Sequence, residues 1–246
     1  MLLFTRPRPK LTTSAEAFEK AGINAVGVAT SDIVLIPSQF EAVKAFLTGN
    51  KVDIVIVTSV YAVDCAVESA DALKKIQKPC PEFIAIGDAT AQKLSAGLSR
   101  ITSAEVSTPN VHTSEGILAM HQLNEENGKQ IVIIKGEGGR DTIEQGIQLK
   151  GGDVRTFCVY KREQLACPIS TKRWKIGDVS GIIATSEAMA QQLLSQYGDA
   201  LVQLPWLTVS ERVKSTLIQS GIKRVGVCHR ATDQALIAWV KDNWEY

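Results

Sequence analysis

An α/β fold of two similar domains, each a parallel sheet flanked by helices, is what this sequence predicts. Two observations carry it. Short apolar runs alternate with helical patterns, and the set of runs in the first half of the 246-residue chain recurs once in the second half. Runs too short for a helix and apolar throughout are the signature of strands buried on both faces, as in parallel sheets built from βα units. A single recurrence at about half the chain marks a duplicated domain, since solenoid repeats have periods of about 20–50 residues.

The runs follow in order. Residues 2–5, ending Phe4-Thr5-Arg6, lead into a helix that stops at Gly22, and they are echoed by 131–135, ending Ile134-Lys135-Gly136, and a helix that stops at Gly152. Residues 24–28 and 154–160 are further strand-like runs. Residues 53–58, ending Val57-Thr58-Ser59, are matched by 181–185, ending Ala184-Thr185-Ser186. Residues 83–86, which open at Gly87 into a helix, are matched by 206–209 before Ser210, and 224–228 closes the series. Asp141 or Thr142 is placed to cap a helix carrying Ile143 and Ile147 on one face, and Thr113 or Ser114 one carrying Ile117, Leu118 and Leu123. Thr113-Ser114-Glu115 before Leu118 is echoed by Ala231-Thr232-Asp233 before Leu236. Polar connections suited to a linker are 124–129 and 161–177. The repeat itself suggests a boundary near residue 125; exchange of segments between the halves is the alternative, and patterning does not choose between them.

Composition bounds the function. Apolar residues make up 45% and charged residues 22%, ordinary values for a globular protein, and the net charge of +1 argues against a nucleic-acid surface. The four apolar residues before Arg6-Pro7 are too few for a signal-peptide core, and no later run reaches the length of a membrane span. The five cysteines are odd in number and hold no C-x-x-C pair, which indicates a reduced, cytoplasmic protein. Cys158 and Cys228 lie in strand-like runs and read as small buried hydrophobes.

Few constellations carry chemistry. Gly136-Glu137-Gly138-Gly139-Arg140-Asp141 follows a strand and opens a helix, but Asp141 replaces the third glycine of a dinucleotide fingerprint. The remaining readings are a turn that sets the direction of the following helix, or glycine amides and Arg140 gripping a carboxylate. His112, His121 and His229 have no metal-ligand spacing, and no metal site is expected. Ser59, Ser186 and Ser210 lack a partner base and read as hydrogen-bonding or capping residues. Tyr160, at the end of a strand and before Lys161-Arg162, is either an ordinary strand-end aromatic or a phenol available as a proton donor.

Taken in order, Leu3-Phe4-Thr5-Arg6-Pro7, Val57-Thr58-Ser59, Ile86-Gly87-x-x-Thr90-Ala91, Thr113-Ser114-Glu115-x-x-Leu118, Lys135-Gly136-x-Gly138-Gly139-Arg140, Val159-Tyr160-Lys161-Arg162, Ala184-Thr185-Ser186 and Val209-Ser210-Glu211-Arg212 resemble the uroporphyrinogen-III synthase family. The resemblance implies two α/β domains joined by a two-stranded linker with the active site in the interdomain cleft, and it implies the exchanged arrangement: 1–36 with 166–246 as one domain, 37–165 as the other. It implies a cyclising hydro-lyase of haem and sirohaem biosynthesis that converts hydroxymethylbilane to uroporphyrinogen III with loss of water and inversion of ring D, without cofactor or metal. Tyr160 matches the residue that assists departure of the hydroxyl. Thr58, Ser59, Gly87, Thr90, Ser114, Gly136, Gly138, Gly139, Ser186 and Ser210 match substrate-lining turns, and Arg6, Arg140 and Arg212 positions that meet acetate or propionate groups. Lys135 and Asp88 depart from the family pattern, where arginine and proline are frequent. The expected partner is hydroxymethylbilane alone, with no nucleic acid and no membrane; the protein is expected to be a monomer that at most touches the preceding pathway enzyme transiently. A two-lobed, non-catalytic binding protein for a polyanionic metabolite is the competing reading, separable by whether the type III isomer forms. A duplicated receiver domain would need paired Asp at strand ends, where this chain has Thr-Ser.

Overall fold

Strand-forming runs and helix-start signals alternate along the chain, and the computed structural model, which describes residues 1–73, 80–123 and 128–244, folds them as strand–helix units. In chain order the elements are β1 (Leu2–Thr5), α1 (Arg8–Lys20), β2 (Ala25–Leu35), α2 (Pro37–Gly49), β3 (Ile54–Val57), α3 (Val63–Leu73), β4 (Glu82–Ala85), α4 (Asp88–Leu98), β5 (Val106–Ser107), α5 (Ser114–Leu118), β6 (Gln130–Gly136), α6 (Thr142–Leu149), β7 (Asp153–Ser170), β8 (Gly181–Ile183), α7 (Glu187–Tyr197), α8 (Asp199–Val202), β9 (Trp206–Thr208), α9 (Glu211–Gln219), β10 (Val225–Val227) and α10 (Asp233–Asn243). The chain divides into two units, Met1–Ile33 with Glu163–Tyr246, and Val34–Arg162.

In the first unit the strand order is β10-β9-β8-β1-β2, with parallel pairing. β1 lies beside β2 and β8, with Leu3 opposite both Val26 and Ile182. One face of this sheet buries Leu3, Val26, Ile182, Leu193, Trp206 and Leu217; the other buries Phe4, Phe18, Ile183, Leu207 and Leu236. Phe4 stacks on Phe18 with centroids 4.9 Å apart.

In the second unit the order is β7-β6-β3-β4-β5, also parallel. Ile54, Ile56, Ile84, Ile131 and Ile133 pack with Ile117, Leu123, Ile143 and Ile147 from α5, α6 and the turn after α5. Parallel strands bring their C-terminal ends to one edge, and in open α/β sheets that edge is where ligands bind.

Two strands are longer than their apolar runs. β2 continues past 28 through Thr30-Ser31-Asp32, and β7 continues past 160 to Ser170, so much of the expected linker 161–177 is strand. Backbone pairing holds them despite the polar sequence. The Thr171 amide donates to the Gly27 carbonyl at 3.0 Å within the first unit, and the Ile36 amide donates to the Val159 carbonyl at 2.9 Å within the second. β5 has two residues and no apolar run to announce it. Of the other expected connection, 124–129, residues 124–127 lie outside the described residues.

Candidate active site

Three turns at the C-terminal edge of the second sheet converge on one cavity of about 330 Å³. Its lining includes Thr58, Ile86, Ser114, Lys135, the turn Gly136–Arg140, Ile143, Glu144, Tyr160 and Arg162. Thr58 follows β3, and its amide donates to the Ile134 carbonyl at 3.2 Å. Ser114 opens α5, where the expected cap is resolved in favour of Thr113, whose hydroxyl accepts the Gly116 amide at 3.1 Å.

The glycine-rich turn is built from β6 into α6. Gly138 has φ +74°, a left-handed conformation that any side chain would strain. Asp141 occupies the N-cap position of α6 but makes no capping hydrogen bond with its side chain, contrary to the sequence expectation. The reason is Lys135, whose Nζ lies 2.9 Å from Asp141 Oδ1 and 3.2 Å from the Arg140 carbonyl oxygen. The Lys135 side chain is 11% exposed, so the carboxylate neutralises an almost buried cation and leaves the α6 amides uncapped. Arg140 extends outward and pairs with Glu115 at 3.0 Å. The amide of Glu115 itself, in the first turn of α5, and then Arg140 hold that carboxyl below its ordinary pKa.

Tyr160 is buried, only 7% exposed, and lies inside β7, not at the strand end that the sequence suggested. A register shift between Lys135 and Gly136 sets Gly136, where unbroken register would set Glu137, opposite Tyr160, and the Glu137 amide donates to the Tyr160 carbonyl at 2.8 Å. Tyr61 meets the Tyr160 ring edge-on, with centroids 5.5 Å apart and planes at 68°. Cys158, opposite Lys135, is half-buried and not fully buried as expected; partial burial still pushes its thiol pKa up.

Other predicted positions sit elsewhere. Ser59 accepts the Tyr61 amide at 3.3 Å, a local turn bond. The Gly87 carbonyl accepts the Thr90 and Ala91 amides, Thr90 is buried, and neither residue is among those lining the cavity. Asp88 pairs with His112 at 3.4 Å.

In the first unit, Ser186 and Ser210 are N-caps as expected, accepting the Met189 and Val213 amides at 3.3 Å each, and Thr232 caps α10 in the same way. Arg212 pairs with Glu187. Arg6 is 6% exposed, and its guanidinium is bound by Asp233 at 2.5 Å, the Ala231 carbonyl at 2.8 Å and Ser14 at 3.2 Å. Among the described residues no group of three His, Cys, Asp or Glu side chains is arranged to hold a metal ion. No described helix is long and apolar enough to cross a membrane.

Sequence reasoning passed over Lys135, Arg162 and Glu144 as cavity residues. The signals were present: Lys135 directly precedes the glycine turn, Arg162 follows Tyr160 by two residues, and Glu144 lies in the first turn of the helix that the turn opens.

Comparison with known proteins bears on the whole chain. The family model described as uroporphyrinogen-III synthase HemD matches residues 12–238. The chain is 30% identical to the uroporphyrinogen-III synthase of Escherichia coli K12 over 170 residues, a stretch covering 64% of this chain and 65% of that protein. It is 28% identical to the Salmonella typhimurium enzyme of the same name over 202 residues, covering 78% and 79%. A mutant uroporphyrinogen III synthase from the extremely thermophilic bacterium Thermus thermophilus superposes with a TM-score of 0.58 at 14% identity, and the uroporphyrinogen-III synthetase of Helicobacter pylori 26695 with 0.58 at 12%, each covering 98% of both chains. At such identities the shared property is the fold.

Proposed function

Since the chain belongs to the uroporphyrinogen-III synthase family, we propose that it converts hydroxymethylbilane to uroporphyrinogen III, losing water, inverting ring D and closing the macrocycle. One observation supports this at the level of residues: the Tyr160 phenol, the Gly136–Arg140 turn and the cations Lys135 and Arg162 line a single cavity. The substrate carries eight carboxylates and the protein a net charge of only +1, so recognition is local. Uncapped helix-start amides, hydroxyls at strand ends and a few placed cations supply it.

A volume of about 330 Å³ is at the small end of the ~300–1,000 Å³ range of ligand pockets. It suits one end of a linear tetrapyrrole, and we assign it to the ring that bears the hydroxymethyl group. Tyr160 donates its hydroxyl proton to the departing oxygen; the C–O bond breaks, water leaves, and the pyrrole nitrogen electrons stabilise the azafulvene-type cation. Ring D then attacks through its substituted carbon, and the bond from that carbon to the methylene bridge of ring C breaks. The released methylene reattaches at the free α carbon of the turned ring D, and loss of the proton there restores the pyrrole and returns a proton to the Tyr160 phenolate. No metal or cofactor is required, because the substrate's own pyrroles act as the electron source. Proton donation of this kind is worth about 10²–10⁴ in rate, and orientation of a floppy chain about 7–11 kcal/mol in favourable cases. Ser114, Thr58, Gly138 and Gly139 are assigned to substrate carboxylates in this cavity, and Ser59, Gly87, Thr90, Ser186, Ser210 and Arg212 remain candidates for further contacts.

The deciding experiment supplies freshly generated hydroxymethylbilane to the purified protein and separates the porphyrin isomers after oxidation. Type III product supports the reading; spontaneous type I product alone identifies a non-catalytic binder.

We further assign the protein to the cytosol, a reading supported by five free cysteines. We take it to act as a monomer that meets the preceding pathway enzyme at most transiently, supported by the exposed large hydrophobics among the described residues, Leu35, Val111, Leu149, Ile169 and Ile218, which lie on separate segments. Sedimentation at micromolar concentration checks the monomer.

A further inference from the structure

Gly136 has no conformational reason to be glycine. It is not among the glycines with positive φ, unlike Gly138 two residues on. What excludes a side chain there is the Tyr160 ring. A Cβ on Gly136 would lie 2.4 Å from Cζ, 2.5 Å from Cε2 and 2.7 Å from the hydroxyl oxygen of Tyr160, distances that real Cβ atoms essentially never show. The ring has little room to retreat: it is 7% exposed, and Tyr61 stands edge-on against it at 5.5 Å. The backbone beneath it is held as well, by the register shift that pairs Gly136 with Tyr160 and by the Glu137 amide on the Tyr160 carbonyl. Gly27, Gly146 and Gly226 also crowd neighbouring side chains, but those belong to Phe4, Leu118 and Trp239, which bring no polar group to the cavity.

We propose that Gly136 is a positioning residue for Tyr160: its missing side chain seats the ring on the end of β6, Tyr61 limits the ring's tilt, and together they aim the phenol hydroxyl into the cavity. This rests on the assignment of Tyr160 as proton donor, and Gly136 thereby acts through Tyr160 and not by touching substrate.

The test compares Tyr160→Phe, Gly136→Ala, the double variant and Tyr61→Leu in the full chain, by steady-state kinetics with hydroxymethylbilane. It adds ¹⁹F NMR of fluorotyrosine-labelled protein, in which the Tyr160 signal is assigned by its loss in Tyr160→Phe. Gly136→Ala is expected to lower kcat by the Tyr160→Phe factor, about ten- to a thousandfold, with KM changed less than about threefold because the carboxylate contacts remain. The double variant is expected to be no slower than Tyr160→Phe alone, since two residues serving one interaction are not additive. The Tyr160 ¹⁹F signal should move in Gly136→Ala while that of Tyr197, in the other unit, stays. A merely structural glycine would lower thermal stability yet leave the Tyr160 signal in place, or would multiply with Tyr160→Phe; either result overturns the proposal, as does wild-type kcat in Gly136→Ala beside a slow Tyr160→Phe. Wild-type turnover in Tyr160→Phe removes Tyr160 as proton donor and the positioning role with it, and is distinguishable because the ¹⁹F shift still reports whether the ring moved. Should Gly136→Ala fail to fold, Tyr61→Leu decides: a non-additive loss of kcat supports the clamp and wild-type kcat overturns it.

Discussion

Replacing Asp233 by Asn separates a structural from a substrate-binding role for Arg6. The Arg6 guanidinium is buried and bound by the Asp233 carboxylate, the Ala231 carbonyl and Ser14, while the Ser14 hydroxyl is also within 2.9 and 3.0 Å of both Asp233 oxygens. Asn preserves the shape, removes the countercharge and leaves Arg6 cationic. Breaking a fully buried ion pair costs about 3–5 kcal/mol. The Asp233 side chain is 27% exposed, so water partly compensates, and the Ala231 and Ser14 bonds remain. A loss of about 2–3 kcal/mol follows, in line with charge-assisted hydrogen bonds at ~1.5–3 kcal/mol each, and it corresponds to a melting shift of roughly 5–10 °C for a chain of this size. Scanning calorimetry measures the shift, and kinetics at 25 °C measures turnover of the folded protein, expected within about twofold of wild type because the altered group supports the fold and not the reaction. An unchanged melting temperature with KM raised tenfold or more would refute this reasoning and make Arg6 a substrate contact.

Three further outcomes are expected. The Asp53 carboxyl accepts the Gln130 amide, which lowers its pKa from 3.8, so it stabilises the fold at neutral pH and that contribution disappears as pH falls below about 4; urea titrations of Asp53→Asn should therefore lose stability at pH 7 and converge with wild type near pH 2. Burial pushes the Cys65 thiol up to about 12, so a thiol reagent at pH 8 should modify exposed Cys167 and leave Cys65 untouched until denaturant is added, as peptide mass mapping can establish. Residues 34–162 expressed alone should unfold cooperatively, whereas residues 1–125 should not, because the latter separate β1 from β8 and β3 from β6; the opposite result in amide exchange would support the simple tandem division.

Much of the fold was legible because its signals are local. Ile54-Val55-Ile56-Val57 reads as strand since a parallel strand covered on both faces needs apolar residues at every position. Thr113, Ser186 and Ser210 read as caps since the amide they accept lies within three residues. Where a distant residue competes for the same group, the local reading fails. Asp141 was a capping candidate until Lys135 drew its carboxylate away, and Thr30-Ser31-Asp32 and Glu163-Gln164 are strand because a partner backbone pairs them, not because their side chains favour it.

The site divides in the same way. Glycine spacing marks the turn, and Tyr160 stands out as an aromatic at the end of an apolar run. That the ring is buried, lies against Gly136 and is braced by Tyr61 depends on a register shift in β6–β7 that no residue type announces.

What the sequence by itself determined, then, is a duplicated α/β chain with parallel strands, the places where helices begin, and a glycine turn suited to an anion. Only the tertiary structure decided that β1 pairs with β8, that Arg6 is bound by a carboxylate 227 residues away, and which turns share a cavity. Burial periodicity and capping are satisfied within one or two turns of chain, so each segment carries its own record of them. Strand partnership and ion pairing are satisfied by whichever edges and charges the folded backbone brings together, and that choice is spread over residues that share no local pattern.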